Sequence, residues 1–162
     1  HKRIALVTGP MEEDCSQDRL VGFQRALNEA GISFDQSLMF EGDWSATSGS
    51  EALADFVKKG NLPTAVFAQN DRMAMGVMRA ARDAELKVPD QLSVIGVDDM
   101  PLSSYFDPPL TTMRQDMPLI GQEAIRKLIE IIQNKTVEQT VLKLPAQLVV
   151  RQSTVKGGDS TS

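Results

Sequence analysis

Few residues in this chain are of types that do chemistry, and most of them close apolar runs. Asp98 and Asp99 end "LSVIGVDD", and Asn70 and Asp71 end "TAVFAQND". Trp44, the single tryptophan, stands in "EGDWSATSG", and Arg19 opens "RLVGFQRALNEAGI". Paired carboxylates hydrolyse glycosidic bonds only when they flank a bound sugar at a defined separation. Neighbours at a strand end point to opposite sides, which weighs against the two acting as such a pair. The Asn70 amide can donate to one group and accept from another, but Asn is also a preferred helix N-cap. Asp71 has the same two readings, with a structural role favoured. Arg19 offers five donors in a rigid fork. In a first helical turn its charge opposes the dipole, which hints at a local task, although Asp18 and Glu29 could simply pair with it. Trp44 sits among turn-forming residues, where its flat face either folds back over the loop or meets a ligand.

The elements that must position these groups follow from periodicity. "IALVT" at 4–8 is a short apolar run ended by Gly9-Pro10, a buried strand. Residues 16–30 space Leu20, Phe23, Leu27 and Ala30 on one helical face, with Gly31 as the stop. "SLMFEG" is a second strand, and 46–59 a helix ending at Lys58-Lys59-Gly60. "TAVFAQ" is a third strand, a helix capped by Asn70 runs to Ala84, and "LSVIGVDD" is a fourth strand. Alternating strands and amphipathic helices make a parallel sheet. Its strands end in "TGP", "EGDW", "QND" and "VDD", and ligands bind beyond the carboxyl ends of such strands. Beyond Asp99 the pattern changes to a Pro-rich loop carrying Leu102, Tyr105 and Phe106, then extended "TTMRQDM" and a helix over 118–133. "TVLKLP" and "AQLVVRQS" read as strands, and "KGGDSTS" as a disordered tail.

Composition excludes several classes. The chain has 162 residues, net charge −5 and a pI of about 4.9, so its surface repels phosphate rather than binding nucleic acid. No apolar run is long enough for a membrane helix. The only histidine, His1, is terminal, and Cys15 is the only cysteine. A His/Cys metal site and a Ser-His-Asp or Cys-His nucleophile are therefore not expected. Without a phosphate-binding glycine motif either, no catalytic residue, metal or cofactor is expected. The lone thiol fits a reducing compartment, the cytoplasm, and an incidental or structural role for Cys15. The chain opens directly into a strand with no signal peptide, which suggests a piece of something longer.

Taken in order, "RIALVTGP", "EGDWSATSG", "PTAVFAQNDRMAMGVMRA", "DQLSVIGVDDM" and "DPPLTTMRQDMPLIGQEA" resemble the effector-binding core of the lactose-repressor/galactose-repressor family, from His1 to about Gln152. The resemblance implies a Rossmann-like α/β sheet with helices on both faces, of the type I periplasmic-binding-protein kind. Residues 1–114 would be the body of the C-terminal subdomain, 115–144 a crossover helix and strand of the N-terminal subdomain, 145–153 the return strand, and 154–162 a tail. The DNA-binding helix-turn-helix and most of the N-terminal subdomain would lie outside the chain. The expected ligand is a small sugar-like effector held by Arg19, Trp44, Asn70 and Asp98, with Gln115 beside the crossover. Trp44 would pack on the CH-rich face of a pyranose. Met117 stands where a family member has a pocket-lining aromatic, a departure that leaves the sugar's identity open. Leu102, Tyr105 and Phe106 would contact a second copy in a homodimer, and operator DNA would be met only through the missing headpiece. A transport-type sugar-binding protein of the same fold is the alternative.

Overall fold

The strands β1 (Ile4–Thr8), β2 (Met39–Glu41), β3 (Ala65–Ala68), β4 (Ser93–Asp98), β5 (Thr111–Arg114) and β6 (Gln147–Val149) form one sheet in the order β2-β1-β3-β4-β5-β6. The first five are parallel and β6 returns antiparallel to β5. These positions come from a computed structural model that describes residues 1–133 and 141–155. Helices α1 (Asp14–Glu29), α2 (Ala46–Lys58) and α3 (Asp71–Asp83) connect the strands, and α4 (Met117–Ile132) follows β5. Connections of parallel strands are right-handed. The path from β1 to β2 runs opposite to the two that follow, so α1 covers one face while α2 and α3 cover the other.

Local chemistry explains the element ends. Ser45 caps α2 by accepting from the Ser48 amide, and Asn70 caps α3 by accepting from that of Met73. Gly31 and Gly60 take left-handed φ just past α1 and α2, where only glycine does so freely. Two expectations need correction. Of "SLMFEG", Gln36–Leu38 form a 3-10 turn because Asp35 captures the Ser37 amide and hydroxyl, and the strand is only Met39–Glu41. Of "TVLKLP", residues 141–145 hold no regular strand. A strand needs a neighbour, and among the described residues no strand pairs with this segment. Thr140 and the "KGGDSTS" tail lie outside the described residues.

The core is aliphatic, as the scarcity of aromatics requires. Leu53, Phe56, Met73, Val77, Val94 and Leu110 are fully enclosed between the sheet and the α2–α3 layer. On the opposite face Phe23 of α1 stacks on Phe67 of β3, with centroids 6.1 Å apart. By contrast α4 buries none of its residues, and Ile125, Leu128, Ile129, Ile131 and Ile132 are exposed. After β6 the chain is sewn into the body. The Ser153 hydroxyl donates to the Val94 carbonyl at 2.6 Å and accepts from the Thr111 amide at 2.8 Å.

Helices α2 and α3 touch backbone to backbone. A Cβ at Gly49 would strike the Met73 carbonyl, and one at Gly76 the Ala46 carbonyl. Gly→Ala inside a helix normally gains about 1 kcal/mol of propensity. At Gly76 overpacking reverses the sign, so Gly76→Ala should lower stability by about 1–3 kcal/mol in thermal or urea unfolding.

Candidate functional site

The strand order places a topological switch between β1 and β3, where one connection leaves in each direction. A crevice opens there outside the carboxyl ends of the strands. The buried side chain of Gln69 holds that point together. Its Oε1 accepts from the Gly9 amide at 3.1 Å, and its Nε2 donates to the Ser16 carbonyl in α1 at 3.0 Å. Its backbone carbonyl accepts from Arg19 Nη1 at 2.6 Å. Arg19, in the second turn of α1 rather than the first, is thereby aimed across the crevice.

Trp44 follows β2 with a left-handed φ of 67°. Its ring lies over Gly9, where any side chain would collide with it. The indole Nε1 donates to the Glu13 carboxylate at 3.0 Å, and the Arg19 guanidinium stands 5.6 Å from the ring centroid, within cation–π range. Both readings of Trp44 are thus partly visible: it is half-buried against the core, yet held at the strand edge by groups of that edge. Asn70 serves two structural duties. Its Oδ1 caps α3 at 2.7 Å from the Met73 amide, and its Nδ2 donates to the Trp44 carbonyl at 3.0 Å. One amide hydrogen is left for any other partner.

The two adjacent acids diverge. Asp98 and Asp99 have φ of 113° and 55°, conformations that cost non-glycine residues about 1–3 kcal/mol each. Asp98 is half-buried on the Arg19 side. Burial pushes its carboxyl above the usual range; the Asp71 charge adds to this, while Arg19 and Arg72 oppose it. Asp99 faces away and accepts from Arg114 at 2.5 Å and Arg151 at 2.6 Å. Burial alone would raise its carboxyl, but the hydrogen bonds from Arg151 and Arg114 outweigh that and hold it below the usual range. Such a pair is not arranged for shared acid–base work.

The structure therefore brings Arg19, Trp44, Asn70 and Asp98 to one edge. Gln115 lines a cavity of about 330 Å³ together with Arg19, Phe67, Val97, Met113 and Ile120. Met117, the first residue of α4, is exposed and outside that lining. Cys15 is exposed, its thiol 3.6 Å from a Glu13 oxygen. Leu102 and Tyr105 are 61% and 83% exposed on a 3-10 turn (Pro101–Tyr105), whereas Phe106 leans on the core. Gln69, Glu13 and Arg72 were not singled out from the sequence. Gln69 alone left a signal, as a polar residue inside the strand-like "TAVFAQ". Asp71 is fully buried away from the edge, bonded to Met100, Ser103 and Thr112.

Residues 1–154 match the periplasmic binding protein-like domain family. The chain is similar to the HTH-type transcriptional repressor PurR of Photobacterium profundum, with 37% identity over 94% of this chain and 46% of the relative. It is also similar to catabolite control protein A of Priestia megaterium, with 39% identity over 95% of this chain and 47% of the relative. The chain spans about half the length of these curated relatives. Among solved structures, a lac repressor dimer bound to operator and the anti-inducer ONPF superposes with a TM-score of 0.91 at 38% identity, over 96% of this chain and 54% of that one. These relatives are transcription regulators, not enzymes.

Opposite pH behaviour is expected of the two acids. A raised folded-state value means that Asp98 costs stability as pH rises past the unfolded value of about 3.9. Asp98→Asn should therefore raise the melting temperature at pH 7, with the gain vanishing in acid. A depressed value means that Asp99 contributes stability above the same unfolded value, lost as pH falls through its lower folded one. Asp99→Asn, which tolerates the left-handed φ, should lower the melting temperature at pH 7, with the deficit closing in acid. Thermal melts of both variants across pH check the signs.

Proposed function

The chain belongs to the periplasmic-binding-protein-like domain family, in the form carried by lactose-repressor/galactose-repressor regulators, and on that premise we propose that it is the effector-sensing part of a transcription repressor. One observation carries the reading: Arg19, Trp44, Asn70 and Asp98, from four separate segments, converge at the sheet's switch point. Together they offer a donor fork, an apolar plate, an amide and a charged acceptor, the set that a neutral polyhydroxylated ring requires. A Trp ring exposes about 150–250 Å². Covering a third of that contributes about 1–2 kcal/mol at ~25 cal/mol per Å². Charge-assisted hydrogen bonds from hydroxyls to Asp98 add specificity.

The bare apolar face of α4 supports assigning 115–144 to a second subdomain that closes over the edge, with 145–153 returning to the body. Gln115 would then meet the effector from the crossover. Met117, on α4, would sit at the far wall rather than on this body. The exposed Leu102 and Tyr105, with α2 and α3, supply the surface for a homodimer, and Phe106 buttresses that turn from beneath. Effector binding would change how the dimer presents DNA-binding headpieces to operator DNA in the cytoplasm. Such linkage is reciprocal and is typically worth about 1–3 kcal/mol.

Titrating the full-length protein with mono- and disaccharides while recording tryptophan fluorescence tests the reading, because Trp44 is the only indole of this chain and the Trp44→Ala variant isolates its share of the signal. At least one sugar should quench or shift the emission, and Trp44→Ala should weaken that sugar's binding, measured by calorimetry, by about 1–2 kcal/mol, roughly tenfold, without unfolding the protein. Silence across the panel, with a Trp44→Ala variant that unfolds, would leave the tryptophan as packing only. For the dimer, Tyr105→Glu is expected to shift sedimentation towards monomer at unchanged fold.

A further inference from the structure

Glu13 turns its side chain to the tryptophan instead of to its own helix. It is the N-cap of α1, with extended backbone, yet its carboxylate makes no capping bond. Both of its oxygens stand at the Trp44 indole Nε1, at 3.0 and 3.1 Å. The loop that carries it is fastened on either side. Its own amide donates to the Pro10 carbonyl, the Met11 amide donates to Glu41 at 2.8 Å, and the Met11 carbonyl accepts from Gln17 at 2.9 Å. The carboxylate is therefore fixed in place while Glu13 stays exposed.

An indole N–H lies in the plane of its ring, so an acceptor bonded to it sits at the rim. A Cβ on Gly9 would stand 2.0, 2.2 and 2.4 Å from Trp44 Cζ2, Cε2 and Cη2, three joined ring atoms, which puts Gly9 against one face of the ring. A sugar stacked on the opposite face sends its equatorial substituents outward, parallel to the indole. One of them passes the Nε1 rim about 3.5–4 Å above the ring plane, the ordinary contact distance.

Charge decides what belongs at that rim. Both groups bonded to Glu13, the indole N–H and the Cys15 thiol at 3.6 Å, are neutral donors, so no cation is bonded to it among the described residues. A carboxylate accepts most strongly from a charged donor, and it repels a phosphate. Helix N-termini ordinarily draw anions, but at α1 the N-cap is Glu13 and the first residue Asp14.

We propose that Glu13 is a specificity-determining residue of the effector site, and that the effector is an amine-bearing sugar whose ammonium group meets Glu13 at the Nε1 rim of Trp44. This rests on the reading of Trp44 as the plate of that site. The remaining hydroxyls of the same sugar are left for Arg19, Asn70 and Asp98. A phosphate on that side of the ring is refused by the same charge.

Collisional quenching of this chain, whose only indole is Trp44, tests the rim without any ligand. Caesium is a cationic quencher, iodide an anionic one, and acrylamide a neutral one that corrects for exposure. Arg19, 5.6 Å from the ring centroid, would by itself favour iodide. At constant ionic strength caesium should nevertheless quench several-fold more efficiently than iodide, each relative to acrylamide. Glu13→Gln keeps an oxygen for the indole N–H and removes the charge, and should abolish that preference. Glu12→Gln removes the same charge one residue away and should change it far less. Iodide preferred in the parent, or equal shifts in the two variants, overturns the proposal. In the full-length protein, calorimetry with the mono- and disaccharide panel, extended by aminodeoxy and phosphorylated forms of each sugar, tests the class. At least one amino sugar should bind several-fold tighter than its hydroxyl parent, its phosphorylated form should bind more weakly, and Glu13→Gln should erase the advantage of the amine. Amino sugars that bind no tighter than their parents overturn the amine class while the effector reading stands. Silence of every ligand sinks the effector reading, and the role of Glu13 with it.

Discussion

Gln69 is the fastening on which the rest of the edge depends. An open parallel sheet reverses its winding at one place, and the backbone there has amides and carbonyls with no ladder partner. Gln69 fills that gap with one side chain, accepting from the loop after β1 and donating into α1, while its own carbonyl fixes Arg19. A buried amide with both ends satisfied is rigid as well as stable, because leaving either end unpaired costs about 1–3 kcal/mol. Arg19 then needs no packing of its own to be aimed, and Trp44 has a fixed guanidinium to lean towards. The edge is preorganised by a residue that never meets the solvent side of it.

Electrostatics divides the work at the end of β4. Two adjacent acids have the same chemistry and opposite situations, one with a positive charge on either side of it at hydrogen-bond distance, the other half-buried and beside a third acid. The first is cheap to keep ionised and contributes stability. The second is strained in backbone and disfavoured in charge, the condition in which a ligand's donors are most welcome. On the proposed reading, a fold that carries such a residue gives up stability at the spot where it would gain affinity.

Much of this was legible in the residues. Strands β1, β3 and β4 were readable because each is an apolar run of strand length closed by polar turn-formers, and α3 because Asn70 announces its start. Parallel strands alone put Trp44, Asn70 and Asp98 on one edge, since every strand ends there, whereas Arg19, on α1, was singled out by the family resemblance. What could not be read depended on side-chain and strand partners that periodicity does not encode. Asp35 draws residues 36–38 out of the strand by a side-chain bond that no periodicity encodes. The strand expected in "TVLKLP" shows the converse failure: residues 141–145 fit a strand, but pairing decides, and no described strand lies beside them. Asp71 looked interchangeable with Asn70 as a helix-start residue. Only the turn nearly thirty residues later, with Met100 and Ser103, shows that it faces the other way.

The carboxylate of Asp99 has a mechanical meaning. Arg114 is the last residue of β5 before the chain departs, and Arg151 lies just past β6, where it comes back. Both guanidiniums close on the same carboxylate, so the excursion between them is a loop pinned at its neck. A load applied along α4 therefore enters the body where β5 and β6 also pair residue by residue, and it reaches both strands together, on the side of the sheet farthest from Trp44.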